Sequence, residues 1–155
     1  MEIAWPEPSG RDGAHGSLDR LIEEAAGRIT RFEAAEADAA ADAVLIDIRS
    51  QDARDRNGVI PGTIHIPRTV LEWRVAIDSP WRNVHLGGLD QLLIIVCDHG
   101  YSSILAASNL VRLGFARAGD VIGGFESCKQ QRLPVARASS RPAAADALPG
   151  SGPPE

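Results

Sequence analysis

Cysteine is scarce: the 155 residues contain only Cys97 and Cys128, too few for the disulfide framework of a small secreted domain. In a reducing compartment each thiol reads as a buried filler or a reactive group. No apolar run approaches the ~18 residues of a membrane span, and the start Met1-Glu2-Ile3-Ala4-Trp5-Pro6 has neither the basic nor the apolar region of a secretory signal. The expectation is a cytoplasmic protein with no membrane partner. Positive charge is in the minority, 16 Lys and Arg against 21 Asp and Glu for a formal net charge of −5, and no dense basic patch is present. That argues against a nucleic-acid partner, because binding a polyanion needs clustered cations that displace counterions. Metal-ligand pairs are missing as well. Cys97, His99 and Cys128 offer neither a C-x-x-C nor an H-x-x-x-H spacing, so no metal is expected. Internal repeats are absent.

What is present suits one α/β domain. Hydrophobic residues make up 44% of the chain, and a chain of this length buries ~68–70% of its unfolded surface. Residues 1–16 are interrupted by Pro6, Pro8, Gly10, Gly13 and Gly16, and residues 138–155 are mostly Ala, Pro, Ser and Gly with Leu148 alone of any apolar size. Neither end can offset its ordering entropy, so both are expected to be disordered around a domain spanning residues 17–137. Ser17 stands as an N-cap before Leu18, Leu21, Ile22, Ala25 and Ala26 at helical spacing, predicting a helix packed on the sheet edge. A short edge strand within Arg28–Phe32 and helix formers over Glu33–Ala41 follow. Ala43–Ile48 and Leu92–Val96 read as central strands covered on both faces. Thr63–Ile66 and Asp120–Ile122 read as further short strands, and Ser103–Leu113 and Phe125–Gln131 as helices. Strands alternating with helices give a mainly parallel central sheet of about five strands, flanked by helices.

The strand Leu92–Val96 runs straight into Cys97, and a helix begins near Ser102. In a parallel sheet the ligand crevice lies at this carboxyl end of the strands. The helix N-terminus favours an anion there, and such settings lower cysteine pKa values, the thiolate being the nucleophile. Gly100 lets the loop Cys97-Asp98-His99-Gly100-Tyr101-Ser102 curl into an anion-binding nest. From position alone, nucleophile and apolar filler are evenly balanced.

The loop Cys97 to Ala107 resembles the active-site loop of a rhodanese domain, in the style of bacterial single-domain sulfurtransferases. Leu45-Ile46-Asp47-Ile48-Arg49 is similar to the first central strand of that family with its Asp-x-Arg ending. Gly58 to Arg68, GVIPGTIHIPR, resembles the G-x-IPGA-x-x-IPR motif, and Val70 to Arg74 a Val-Leu-Glu-Trp-Arg segment. Asp120 to Phe125 followed by Leu133-Pro134-Val135 resembles the closing strand, helix and exit. The resemblance spans about Ser17 to Val135 and implies a single rhodanese-like domain that moves sulfane sulfur through a Cys97 persulfide, with no cofactor. A small-molecule donor such as thiosulfate, and cyanide, a thiol or a protein as acceptor, would be its partners.

Within that reading the N–H groups from Asp98 to Ser103, through His99, Gly100, Tyr101 and Ser102, would stabilise the terminal sulfur. The Ser102 and Ser103 hydroxyls could add donors, although capping the following helix is the favoured role. The loop itself has no Arg or Lys, and Asp98 directly follows Cys97. Arg74 is therefore the choice for gripping an oxyanion at the mouth, with Arg68 behind it. His99 reads as a rim residue, His65 as a core histidine, and Asp47 with Arg49 as a structural tie. Cys128, where relatives tend to have an aromatic residue, reads as a buried filler. The alternative function is a rhodanese-fold binding or regulatory module. A phosphatase loop of the form C-x-x-x-x-x-R is disfavoured because Ser103 stands where the arginine would be. A monomer is expected.

Overall fold

The computed structural model describes residues 16–138. The expected disorder of the two ends therefore falls on residues 1–15 and 139–155, which lie outside the described residues. In chain order the elements are α1 (Ser17–Ala26), β1 (Thr30–Phe32), α2 (Ala34–Ala39), β2 (Ala43–Asp47), α3 (Gln51–Asn57), β3 (Ile64–His65), a 3₁₀ turn (Arg68–Val70), α4 (Leu71–Val75), β4 (Leu92–Val96), α5 (Ser102–Arg112), β5 (Gly119–Val121) and α6 (Gly124–Gln130). The strands form one sheet in the order β1-β5-β4-β2-β3, and every pairing is parallel.

Strand β4 sits at the centre, and its sequence explains why. All of Leu-Leu-Ile-Ile-Val is buried, and successive side chains enter opposite layers. Leu93 and Ile95 pack with Ala106, Ala107 and Leu110 of α5 and with Leu71 and Val75 of α4. Leu92, Ile94 and Val96 pack with Ala34 and Ala37 of α2 and with Phe125 and Cys128 of α6. A strand apolar on both faces is stable only between two such layers. β2 lies beside it in full register, Ala43 opposite Leu92 and Asp47 opposite Val96.

Several boundaries differ from the sequence reading. Gly16, not Ser17, takes the cap position of α1 and makes no side-chain cap. That helix rests on α5 rather than on the sheet edge, with Leu18 and Leu21 left exposed. β5 starts and ends one residue before the expected strand. Its first residue, Gly119, faces the edge strand so closely that a Cβ would lie 2.1 Å from the Thr30 carbonyl oxygen. Helices α3 and α4 were not anticipated. α3 buries only Ala53, so it shows no apolar period; its start is fixed instead by Ser50, whose hydroxyl accepts the Ala53 N–H.

The end of β2 is held by ions. Asp47 accepts from Arg49 through Nε (3.0 Å), Nη2 (2.8 Å) and the backbone N–H (3.0 Å), and both side chains are buried. Arg49 Nη2 also donates to the Gly58 carbonyl, and its guanidinium stacks 3.8 Å over the Phe125 ring. The structural reading of the Asp-x-Arg ending therefore holds: one guanidinium joins the strand end, the α3–β3 connection and α6. Replacing Arg49 by Met leaves the Asp47 carboxylate short of its main partner. The expected loss is about 3–5 kcal/mol, as for a broken buried pair, measured as a lowered urea midpoint, with part recovered in Asp47→Asn/Arg49→Met.

Candidate active site

The carboxyl end of β4 delivers Cys97 to the crevice, where the residue is 5% exposed. Beyond it the chain makes a tight loop held by hydrogen bonds from outside. The Cys97 carbonyl accepts the Phe125 N–H at 2.8 Å and the Asp98 carbonyl the Glu126 N–H at 3.1 Å. Arg31 Nη2 donates to the Gly100 carbonyl at 3.2 Å. With these carbonyls anchored outward, the Gly100 N–H is turned onto Cys97 Sγ at 3.1 Å. The contact points a backbone donor at the sulfur.

Glycine is obligatory at two contact points. Gly100 has φ +84°, and a Cβ there would lie 2.6 Å from the Gly123 nitrogen. Gly124 has φ +62°, and its Cβ would lie 2.4 Å from the Cys97 carbonyl oxygen. Side chains at either position would push the loop away from α6. The Gly123-Gly124 pair is thus an element of the site that the sequence analysis did not single out.

The expected site residues fall into different environments. His99, Tyr101 and Ser102 are exposed on the loop, Asp98 is half-buried, and Gly100 and Ser103 are buried. Tyr101 occupies the cap position of α5 without a side-chain cap. The expected serine cap is therefore absent, and the reason is a stronger partner: Ser103 Oγ donates to the buried Asp120 carboxylate at 2.7 Å. Arg74, expected at the mouth, is buried at 6% exposure, and its Nη1 donates to the Trp81 carbonyl at 2.9 Å. Arg68 pairs with Glu72. His65 Nε2 is 2.8 Å from the Arg49 carbonyl oxygen.

A cation does stand beside the loop, and the sequence reading missed it. Arg31 on β1 makes a two-pronged pair with Asp120 on β5, Nε to Oδ1 at 2.9 Å and Nη2 to Oδ2 at 3.0 Å. The residues are joined by strand register, Arg31 opposite Asp120. The sequence indicated only that a strand here turns Arg31 to the face opposite Thr30 and Phe32, not that Asp120 and Gly100 are its partners.

Cys128 is fully buried in the opposite layer, among Ala34, Ala37, Val121 and Phe125, whereas Cys97 belongs to the α5 layer. Both are free thiols. Among the described residues no cluster of His, Cys, Asp and Glu is arranged to hold a metal ion, and no helix is long and apolar enough to cross a membrane.

Comparison with known proteins agrees with this fold. The family model of the rhodanese-like domain matches residues 31–131. A thiosulfate sulfurtransferase GlpE of Pseudomonas syringae is 35% identical over 85 residues, covering 54% of this chain and 70% of the relative. That of Stutzerimonas stutzeri is 37% identical over 86 residues, covering 56% and 70%. Among solved structures, a Rhodopseudomonas palustris protein of unknown function, described as a possible tyrosine phosphatase, superposes with a TM-score of 0.71 at 25% identity, covering 86% of this chain and all of that one. The polysulfide-sulfur transferase of Wolinella succinogenes shares the fold with a TM-score of 0.63 at 19% identity, covering 83% and 93%.

Burial, opposed by the nearby Arg49 charge, pushes the Cys128 thiol from 9.0 up to about 11. A buried acid with a raised pKa stabilises the fold below its unperturbed pKa of 9.0 and loses that contribution as pH rises toward about 11. Unfolding free energy should therefore fall more steeply across this alkaline window in the wild type than in Cys128→Ala. Urea titrations of both proteins at a series of pH values check the difference in slope.

Proposed function

The chain belongs to the rhodanese-like domain family, and on that premise we propose that it is a sulfurtransferase carrying sulfane sulfur on Cys97. The observation that carries the reading is the Gly100 N–H aimed at Cys97 Sγ within a loop clamped against α6, at the carboxyl end of the central strand. Named relatives that are thiosulfate sulfurtransferases support thiosulfate as a donor.

The reaction is a double displacement. The Cys97 thiolate attacks the outer sulfur of thiosulfate; a new S–S bond forms, the S–S bond of thiosulfate breaks, and sulfite departs with its electron pair. An acceptor nucleophile, cyanide or a thiol on a small molecule or protein, then attacks the terminal sulfur of the persulfide. That S–S bond breaks and its electron pair returns to Cys97 as thiolate. The chain's task is to hold charge: the Gly100 N–H and the N-terminal turn of α5 stabilise first the thiolate and then the terminal persulfide sulfur. His99, Tyr101 and Ser102, exposed around the loop, are the side chains an incoming donor or acceptor meets. Ser103 points instead to Asp120 and supports the loop from below. A phosphoryl-transfer reading lacks support at that position, since a serine committed to a carboxylate cannot grip a phosphate as arginine does.

Intact-mass measurement after brief exposure of the reduced protein to thiosulfate tests the proposal. The expected product carries one added sulfur atom, which is absent from Cys97→Ser and removed by cyanide. No adduct from thiosulfate or from a thiol-derived sulfane donor would favour a rhodanese-fold binding module instead.

A further inference from the structure

We propose that Arg31, on the edge strand, is a positioning residue for the Cys97 nucleophile, acting through the Gly100 carbonyl and through neutralisation of Asp120. The inference deepens the sulfurtransferase reading and concerns the same site. Its basis is an unbroken chain of contacts. Arg31 Nη2 holds the Gly100 carbonyl at 3.2 Å, and the N–H of that same glycine is 3.1 Å from Cys97 Sγ. The N–H and the carbonyl of Gly100 belong to adjacent peptide planes that meet at its Cα, and that Cα, at φ +84°, is packed against Gly123. A donor on the carbonyl therefore narrows the range through which the N–H can swing.

Charge gives the second half of the argument. Asp120 is completely buried, and Ser103 Oγ, in the first turn of α5, is 2.7 Å from it. An unpaired carboxylate there would oppose a thiolate at the head of the same helix. The Arg31 fork, 2.9 and 3.0 Å from the two carboxylate oxygens, cancels that charge while one of its nitrogens continues to the loop. The Arg31 proton is held more tightly than usual, chiefly by hydrogen bonding to Asp120. A lysine could satisfy one acceptor of this set but not the planar fork.

The test compares Asp120→Asn with Arg31→Met/Asp120→Asn, a pair that never leaves a buried carboxylate uncompensated. The readouts are the rate of Cys97 alkylation by iodoacetamide at fixed neutral pH, resolved by peptide mass, and the Gly100 amide resonance in a ¹H–¹⁵N spectrum. Removing Arg31 should slow alkylation about tenfold relative to Asp120→Asn, the scale of losing one charge-assisted hydrogen bond, and should displace the Gly100 resonance. Equal rates within about twofold, the scale at which a lost hydrogen bond is no longer resolved, with an unmoved Gly100 resonance would overturn the proposal and leave Arg31 as a staple between β1 and β5. If the double variant does not fold, Arg31→Lys decides: a displaced Gly100 amide with slowed alkylation upholds the role, and an unchanged pair of readings overturns it. Neither readout requires a sulfur donor. Failure of sulfur uptake by the wild type would sink the sulfurtransferase reading alone, and unaltered alkylation would sink only this one.

Discussion

The Phe125 N–H held by the Cys97 carbonyl is the contact on which the site depends. It joins the end of the central strand to the start of α6, and it can form only because Gly124 presents no side chain to that carbonyl. Once it is made, the Glu126 N–H meets the Asp98 carbonyl, the loop is pressed onto α6, and Gly100 is brought against Gly123. Cys97 Sγ thereby receives its N–H donor from a residue whose conformation is set by packing rather than by its own preference. Phe125 serves twice, since its ring also carries the Arg49 guanidinium and so couples the loop to the end of β2.

In this acidic chain the buried carboxylates are paired. Asp47 and Asp120 both lie close to the carboxyl ends of strands, and both are buried. Each is gripped by an arginine through two nitrogens. In each case the arginine has a further acceptor in a loop, the Gly58 carbonyl for Arg49 and the Gly100 carbonyl for Arg31. Burying such pairs adds little to stability compared with apolar packing; their evident product is the placement of loops.

Much of this was legible in the residues. β2 and β4 could be read because strands covered on both faces have to be continuously apolar, and Cys97 could be placed because it immediately follows such a run. The same reasoning failed for α3 and α4, which are short and bury too few residues to show a period. It failed again wherever a polar residue chose a distant partner over a local one. Ser103 had the sequence context of a cap yet bonds Asp120, 17 positions away in the chain, and Arg31 reaches the loop across 69 positions. Arg74 drew attention through its segment but is engaged with the Trp81 carbonyl. Local pattern carries the direction of a side chain from the backbone, whereas its partner is decided by strand order, and the order β1-β5-β4-β2-β3 was not readable from any single segment.

The clamp on the Cys97 carbonyl also has a consequence in time. Synthesis proceeds from the N-terminus, so Cys97 and the whole of β4 leave the ribosome before Gly123, Gly124 and Phe125 exist to hold them, and β5, which separates β4 from the edge strand, arrives only just before. A nascent chain that stops short of α6 has the cysteine without the contacts that orient the Gly100 N–H. The geometry around the sulfur is thus completed by α6 rather than encoded in the loop alone, and a product truncated before α6 would carry the loop without its clamp.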